Sequence, residues 1–163
     1  MIRSSAIPAT STATPLLADF LVHSDLLGTF TIPAGSAIDF PAGLLGFPEF
    51  HRFALVRAGT DSVYWLQSLD VTSLVFLLVD PFVHFKDYSV DIPPTDAAEL
   101  SATDYSDMAV FAIVTLPSSA HDKPTANLQG PVAINLRLRR GMQIVCADVD
   151  YGVRRPFDLT IGH

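Results

Sequence analysis

From residue 29 to residue 151 the chain is written in short apolar runs broken by Gly, Pro, Asp and Ser. "TFTI" (residues 29–32) and "AIDF" (37–40) are β-branched or aromatic and are separated by Pro33 and Gly35, which predicts two short strands. "RFALV" (52–56), "SVYWLQSL" (62–69), "MAVFAIVTL" (108–116), "PVAINLRLR" (131–139) and "MQIVCADVDY" (142–151) read as further strands, with another near residues 88–92. "LVFLLVD" (74–80) is apolar on both faces, the pattern of a strand buried on both sides. Between the strands, "FPAGLLGFPEF" (40–50) has two glycines and two prolines, so it predicts a shaped loop. Arg140-Gly141 sits between two strand patterns and predicts a tight hairpin turn there. "DAAEL" (96–100) is the one clear helical signal, with Asp96 and Glu99 spaced as a capping box.

Short strands at this spacing predict an all-β (mainly) fold: a small antiparallel β-barrel or sandwich with one or two short helices. Residues 1–26 read as a mostly irregular N-terminal arm, rich in Ser, Thr, Ala and Pro, and residues 27–163 as a single domain. The apolar patch "LLADFLV" (16–22) predicts a short helix docked on that domain, whereas residues 1–15 should be dispensable for folding. Trp65, between two apolar strands, is expected to be largely buried, with Trp65→Ala costing about 3–5 kcal/mol.

Composition narrows the function. With 163 residues, 49% of them hydrophobic and 17% charged, the chain suits one folded domain rather than a disordered segment. Mean hydropathy is +0.36, yet no apolar run reaches the roughly 18 residues of a spanning helix, and no apolar leader follows Arg3. One cysteine excludes an internal disulfide and suits a reducing compartment, so a cytoplasmic protein is expected. Net charge is −7, unevenly spread. Residues 1–130 hold five Lys/Arg against fourteen Asp/Glu, and residues 131–163 five Arg against three Asp. An acidic bulk argues against free nucleic acid as a partner and for a basic protein.

The residues show no catalytic grouping. Cys146 lies among aliphatics with Asp148 on its own face, which opposes thiolate formation. The five histidines lack metal-ligand spacing, and "GLLGF" lacks the lysine and helix of a phosphate loop. No metal or cofactor is expected. The arginines between residues 137 and 155 (Arg137, Arg139, Arg140, Arg154, Arg155) allow an alternative, an RNA- or DNA-binding barrel, although no exposed aromatics are interleaved with them to stack on bases. Asn127 and Asn135 are read as loop-forming residues.

Five motifs, "FPAGLLGF" (40–47), "WLQSLD" (65–70), "VDPFVHFKDYSVDI" (79–92), "ANLQGPVAIN" (126–135) and "RRGMQIV" (139–145), together resemble the FliW family of bacterial flagellar assembly factors in order and spacing, over roughly residues 28–157. The resemblance implies a cytoplasmic, non-enzymatic β-barrel with two protein partners, flagellin and the small RNA-binding translational repressor CsrA. Binding CsrA would relieve repression of flagellin synthesis, and flagellin would compete for the factor. The chain alone is expected to be monomeric. No interface residue is carried over from the family. Charge instead singles out Asp80, Asp87, Asp91, Asp96 and Glu99, opposed there only by Lys86, as a face toward a basic repressor. The apolar loop residues Leu44, Leu45 and Phe47 are the other candidate contact.

Overall fold

The computed structural model describes residues 19–59 and 62–159. Ten strands run in chain order among them: β1 (Phe20–Ser24), β2 (Gly28–Ile32), β3 (Ile38–Asp39), β4 (Arg52–Arg57), β5 (Val63–Ser68), β6 (Val75–Val79), β7 (Met108–Thr115), β8 (Thr125–Asn135), β9 (Arg140–Gln143) and β10 (Arg155–Pro156). Two short helices, α1 (Pro81–His84) and α2 (Pro94–Glu99), lie between β6 and β7. The sheet order β8-β7-β6-β5-β4-β3-β9 closes on itself through β9 pairing with β8, giving a seven-stranded barrel among the described residues. Closure leaves no open edge along that seam. Its joints are antiparallel except the β3–β9 contact, where Asp39 pairs in parallel with Arg140 and the Asp39 N–H donates to the Arg139 carbonyl at 2.9 Å.

Period-two alternation divides the wall into two apolar faces. Phe53, Tyr64, Leu66, Leu78, Ala109, Phe111, Val132 and Ile134 fill the interior with Ile38, Phe40 and Leu44. The alternate residues, Val63, Leu77, Val79, Val110, Ala112 and Ala133, face outward and are covered by Tyr88, Val90, Ile92, Leu100, Ile144 and Phe157. This accounts for the doubly apolar β6: both of its faces are covered. Trp65 belongs to the outer face, opposite Val56 and Leu77, and is partly buried, packed against the outer cluster. "WLQSLD" is scaffold at its far end. Buried Gln67 donates to carbonyls of the turn after β5, and Asp70 Oδ2 accepts from His51 N at 2.9 Å.

Several expectations shift on the fold. The helix read into residues 16–22 is replaced over Phe20–Ser24 by β1, which pairs with β2; residues 1–18 lie outside the described residues. Val22 and Ile32 pack on Ala54 of β4, so part of the expected arm contributes to the core. The predicted strand at 88–92 is an extended segment with an isolated bridge at Val90. Tyr88, Val90 and Ile92 are buried there while Asp87 and Asp91 are exposed. Alternation reports one-sided burial, which needs a surface beneath the chain and no neighbouring strand.

The hairpin turn is also relocated. Asn135 pairs with Arg140 and Ile134 with Gly141, so the turn is residues 136–139, with Arg139 at φ 55°. Gly141 is required by packing: a Cβ there would lie 2.5 Å from the Phe40 ring. Asn135 Oδ1 accepts from Arg137 N and Leu138 N, the loop-forming role expected of it. In α2 the capping box is absent. Pro93 is the N-cap without a side-chain hydrogen bond, Pro94 starts the helix, and Asp96 lies within the first turn.

Candidate partner-binding surface

The loop of residues 40–50 is held by backbone geometry. Gly43 sits at φ 66°, and a Cβ on it would lie 2.5 Å from the Phe47 carbonyl oxygen. Leu44 and Phe47 bridge each other, Phe47 N donating to Leu44 O at 2.8 Å, which places Leu45 and Gly46 at the tip. Of the three apolar residues predicted from this loop, only Leu45 is presented to solvent, 64% exposed. Leu44 is buried inside the barrel, and Phe47 is partly buried with its ring edge-on to Phe76 at 5.4 Å. Leu44 is therefore a core residue rather than a contact, because the tight bridge turns its side chain under the loop.

One side chain ties this tip to the rest of the motif set. Gln143 Oε1 accepts from Leu45 N at 2.9 Å, and Gln143 Nε2 donates to the Gly130 carbonyl at 2.9 Å. Gly130 lies in the irregularity between β7 and β8, where four residues of β8 face one of β7. A Cβ at Gly130 would sit 3.0 Å from both Asn127 Nδ2 and Gln143 Nε2. Asn127 Oδ1 accepts from Gln129 N and Gly130 N, closing the bulge. Three separate sequence motifs thus meet at Gln143. The 139–145 motif contains Gln143, but charge and hydropathy do not single it out, since one glutamine in a strand has no distinguishing neighbour.

The acidic candidates separate in the structure. Asp80 is buried and caps α1, its Oδ1 accepting from Phe82 N at 2.9 Å; it faces the fold and not a partner. Asp87 and Asp91 share the outward side of the extended segment, and Glu99 is exposed at the end of α2 with Asp96 partly buried one turn before it. These four remain on the outside of one chain excursion, residues 80–107, laid over the barrel wall.

The arginines do not form one patch. Arg137 Nε meets Asp107 Oδ2 at 3.1 Å, and an Arg140 guanidinium N–H donates to the Glu99 carbonyl at 3.1 Å. Arg155 pairs with Ala126, which is level with Val114, whereas Arg140 pairs with Asn135, level with Met108. Six residues of β7 separate those levels, about 20 Å of strand. A basic groove spanning residues 137–155 is not assembled.

Side-chain chemistry points the same way. Burial pushes the Cys146 thiol up, with the neighbouring Tyr88 hydroxyl pulling the other way, so thiolate formation is disfavoured. Burial likewise raises the Tyr88 phenol, whose hydroxyl donates to Leu128 O at 2.7 Å. Among the described residues no group of three His, Cys, Asp or Glu is placed to hold a metal, and no helix is long and apolar enough to cross a membrane.

A closed seven-stranded barrel that carries a shaped loop on one wall and a covering excursion on another defines the class: a small β-barrel whose distinctive residues build surface. The sequence profile of the FliW protein matches residues 21–157. The chain is 37% identical over 127 residues to the flagellar assembly factor FliW of Treponema denticola, covering 78% of this chain and 86% of that protein. It is 39% identical to the FliW of Treponema pallidum (76% and 81% covered) and 35% identical to that of Magnetococcus marinus (83% of each). A crystal structure of the flagellar assembly factor FliW superposes with a TM-score of 0.78 at 29% identity, covering 84% of this chain and 96% of that one. This chain belongs to the FliW family.

Proposed function

We propose that this chain is a cytoplasmic, protein-binding regulator of flagellum assembly that binds a CsrA-type RNA-binding repressor, relieving repression of flagellin synthesis, and also binds flagellin. Family membership carries the reading, and the surface is consistent with it. Asp87, Asp91, Asp96 and Glu99 give the excursion an acidic outer side that suits a basic repressor. Leu45 offers a rigidly held apolar contact. Binding, not catalysis, is the activity these residues support. The separation of the arginines favours a protein partner over direct RNA binding.

Each exposed ion pair contributes about 1 kcal/mol or less, so the acidic side acts collectively, chiefly on association rate. The purified chain is expected to co-elute with the repressor and, separately, with flagellin. Association with the repressor should slow as ionic strength rises, and Asp87→Lys with Asp91→Lys should slow it further. Equal, salt-independent rates for both proteins would move the interface to the Leu45 loop. Failure to co-elute with either partner, or tight binding of a labelled oligonucleotide at physiological salt, would overturn the reading.

A further inference from the structure

We propose that the cavity between α1 and β10 binds a carboxylate joined to an apolar group, the chemistry shared by the end of a peptide chain and a small free acid. The proposal goes beyond the partner reading above and does not rest on it. The cavity holds about 270 Å³. Its polar lining comes from His84, Lys86, Asp87, Tyr88, Tyr151 and Arg155, and Phe85 and Leu128 contribute apolar wall.

Three hydrogen-bond donors, the Lys86 ammonium, the Arg155 guanidinium and the Tyr151 hydroxyl, line this one space. Lys86 and Arg155 are exposed, and neither has an ion pair or hydrogen-bonded acceptor among the described residues, although the chain holds 17 carboxylates against 10 Lys and Arg. Tyr151 Oη accepts from Ser89 N at 3.3 Å, and its own O–H has no acceptor among the described residues. An ammonium, a guanidinium and a phenol O–H together suit an oxyanion, since charge-assisted bonds of this kind are the strong ones.

Asp87 decides which oxyanion. A carboxylate in the lining repels a dianionic phosphate more than a monoanion, and it can accept the N–H of a terminal peptide unit. The volume lies below the roughly 300–1,000 Å³ of sites for drug-sized ligands, which suits one terminal residue or a short acid rather than a nucleotide. Phe85 and Leu128 then cover the apolar side chain.

The test is an amide-resonance titration of the full chain, with no protein partner present, so its result is independent of repressor and flagellin binding. The probes are N-acetylleucine, N-acetylleucinamide, isovalerate and inorganic phosphate. N-acetylleucine is expected to move the Lys86, Asp87 and Arg155 amides saturably, with N-acetylleucinamide ineffective. Lys86→Met and Arg155→Met should each weaken that binding about tenfold, the loss of one hydrogen bond to a charged group. Both side chains are exposed, so the variants should retain the wild-type spectrum elsewhere. Saturation by isovalerate at equal affinity assigns the site to free acids; its absence assigns it to peptide ends. Equal shifts with the acid and its amide, tighter binding of phosphate, or no saturable shift would overturn the proposal.

Discussion

The two faces of the barrel wall are built to different plans. Inside, the strands bring most of the rings, joined by Phe40 just past β3: Tyr64 lies edge-on to Phe111 and Phe40 edge-on to Phe53, each at 5.1 Å. Outside, the strands contribute mostly small aliphatics such as Val63, Val79, Ala112, Ala126 and Ala133. Apart from Trp65 of β5, the rings there arrive from the covering segments: Tyr88 packs on Phe82 at 5.7 Å and on Tyr151 at 4.7 Å, and Phe85 on Phe157 at 5.5 Å. A wall of small side chains lets the excursion of residues 80–107 and the C-terminal segment lie close. Their own aromatics then anchor them. The interior therefore governs whether the barrel forms, and the exterior governs where the acidic side and the Lys86–Arg155 cavity are placed.

The comparison breaks most readily inside. Phe111→Ala should lower the free energy of unfolding by about 3–5 kcal/mol, read by denaturant titration, because its fully buried ring leaves a cavity. A cost near zero would show the interior to be loosely packed. Gly141→Ala should cost about 1–3 kcal/mol by overpacking, since the new Cβ meets a Phe40 ring that is itself fully buried. If Gly141 served only a turn, Asn would be tolerated there; the packing account expects Asn to be worse than Ala. Trp65→Ala, on the outer face and partly buried, should cost about 1–2 kcal/mol, clearly less than Phe111→Ala. Equal losses for the two would erase the distinction between faces.

The smallest effect is a pH dependence confined to the exterior. Burial against the fold holds the His84 imidazole below its ordinary value of 6.5, with Asp80 pulling the other way. The unfolded chain therefore takes up a proton near pH 6.5 that the folded chain refuses until lower pH. More protons bound in the unfolded state means that stability falls as pH drops through 6.5, and the loss levels off once the folded imidazole titrates too. His84→Gln should flatten that limb of the stability profile while leaving the alkaline side unchanged. An unaltered profile would show that another group carries the dependence.

How much was legible in the chain depended on whether a signal was local. β5, β6 and β7 are readable because each carries a run of apolar, β-branched or aromatic residues of strand length. The loop of residues 40–50 was readable because Gly and Pro act on their own backbone. The missed turn at 136–139 has the same explanation in reverse. Gly141 looked like turn chemistry, yet its constraint comes from Phe40, a hundred residues away in sequence and in contact across the β3–β9 seam. Asp80 and Leu44 failed as contact residues because charge and hydropathy do not say which way a side chain turns. A cap took the one and the barrel interior took the other.

The sequence by itself determined the all-β character, most of the strand set and, through five motifs in register, the family. Strand pattern and turn residues are short-range properties, and a motif string needs no coordinates. Only the tertiary structure decided the barrel closure of β8 on β9, the joining of three motifs at Gln143, the division of the arginines between two ends of β7, and the meeting of Lys86 with Arg155. Each of these depends on contacts between residues far apart in the chain, and those are fixed by register and packing rather than by any neighbour in sequence.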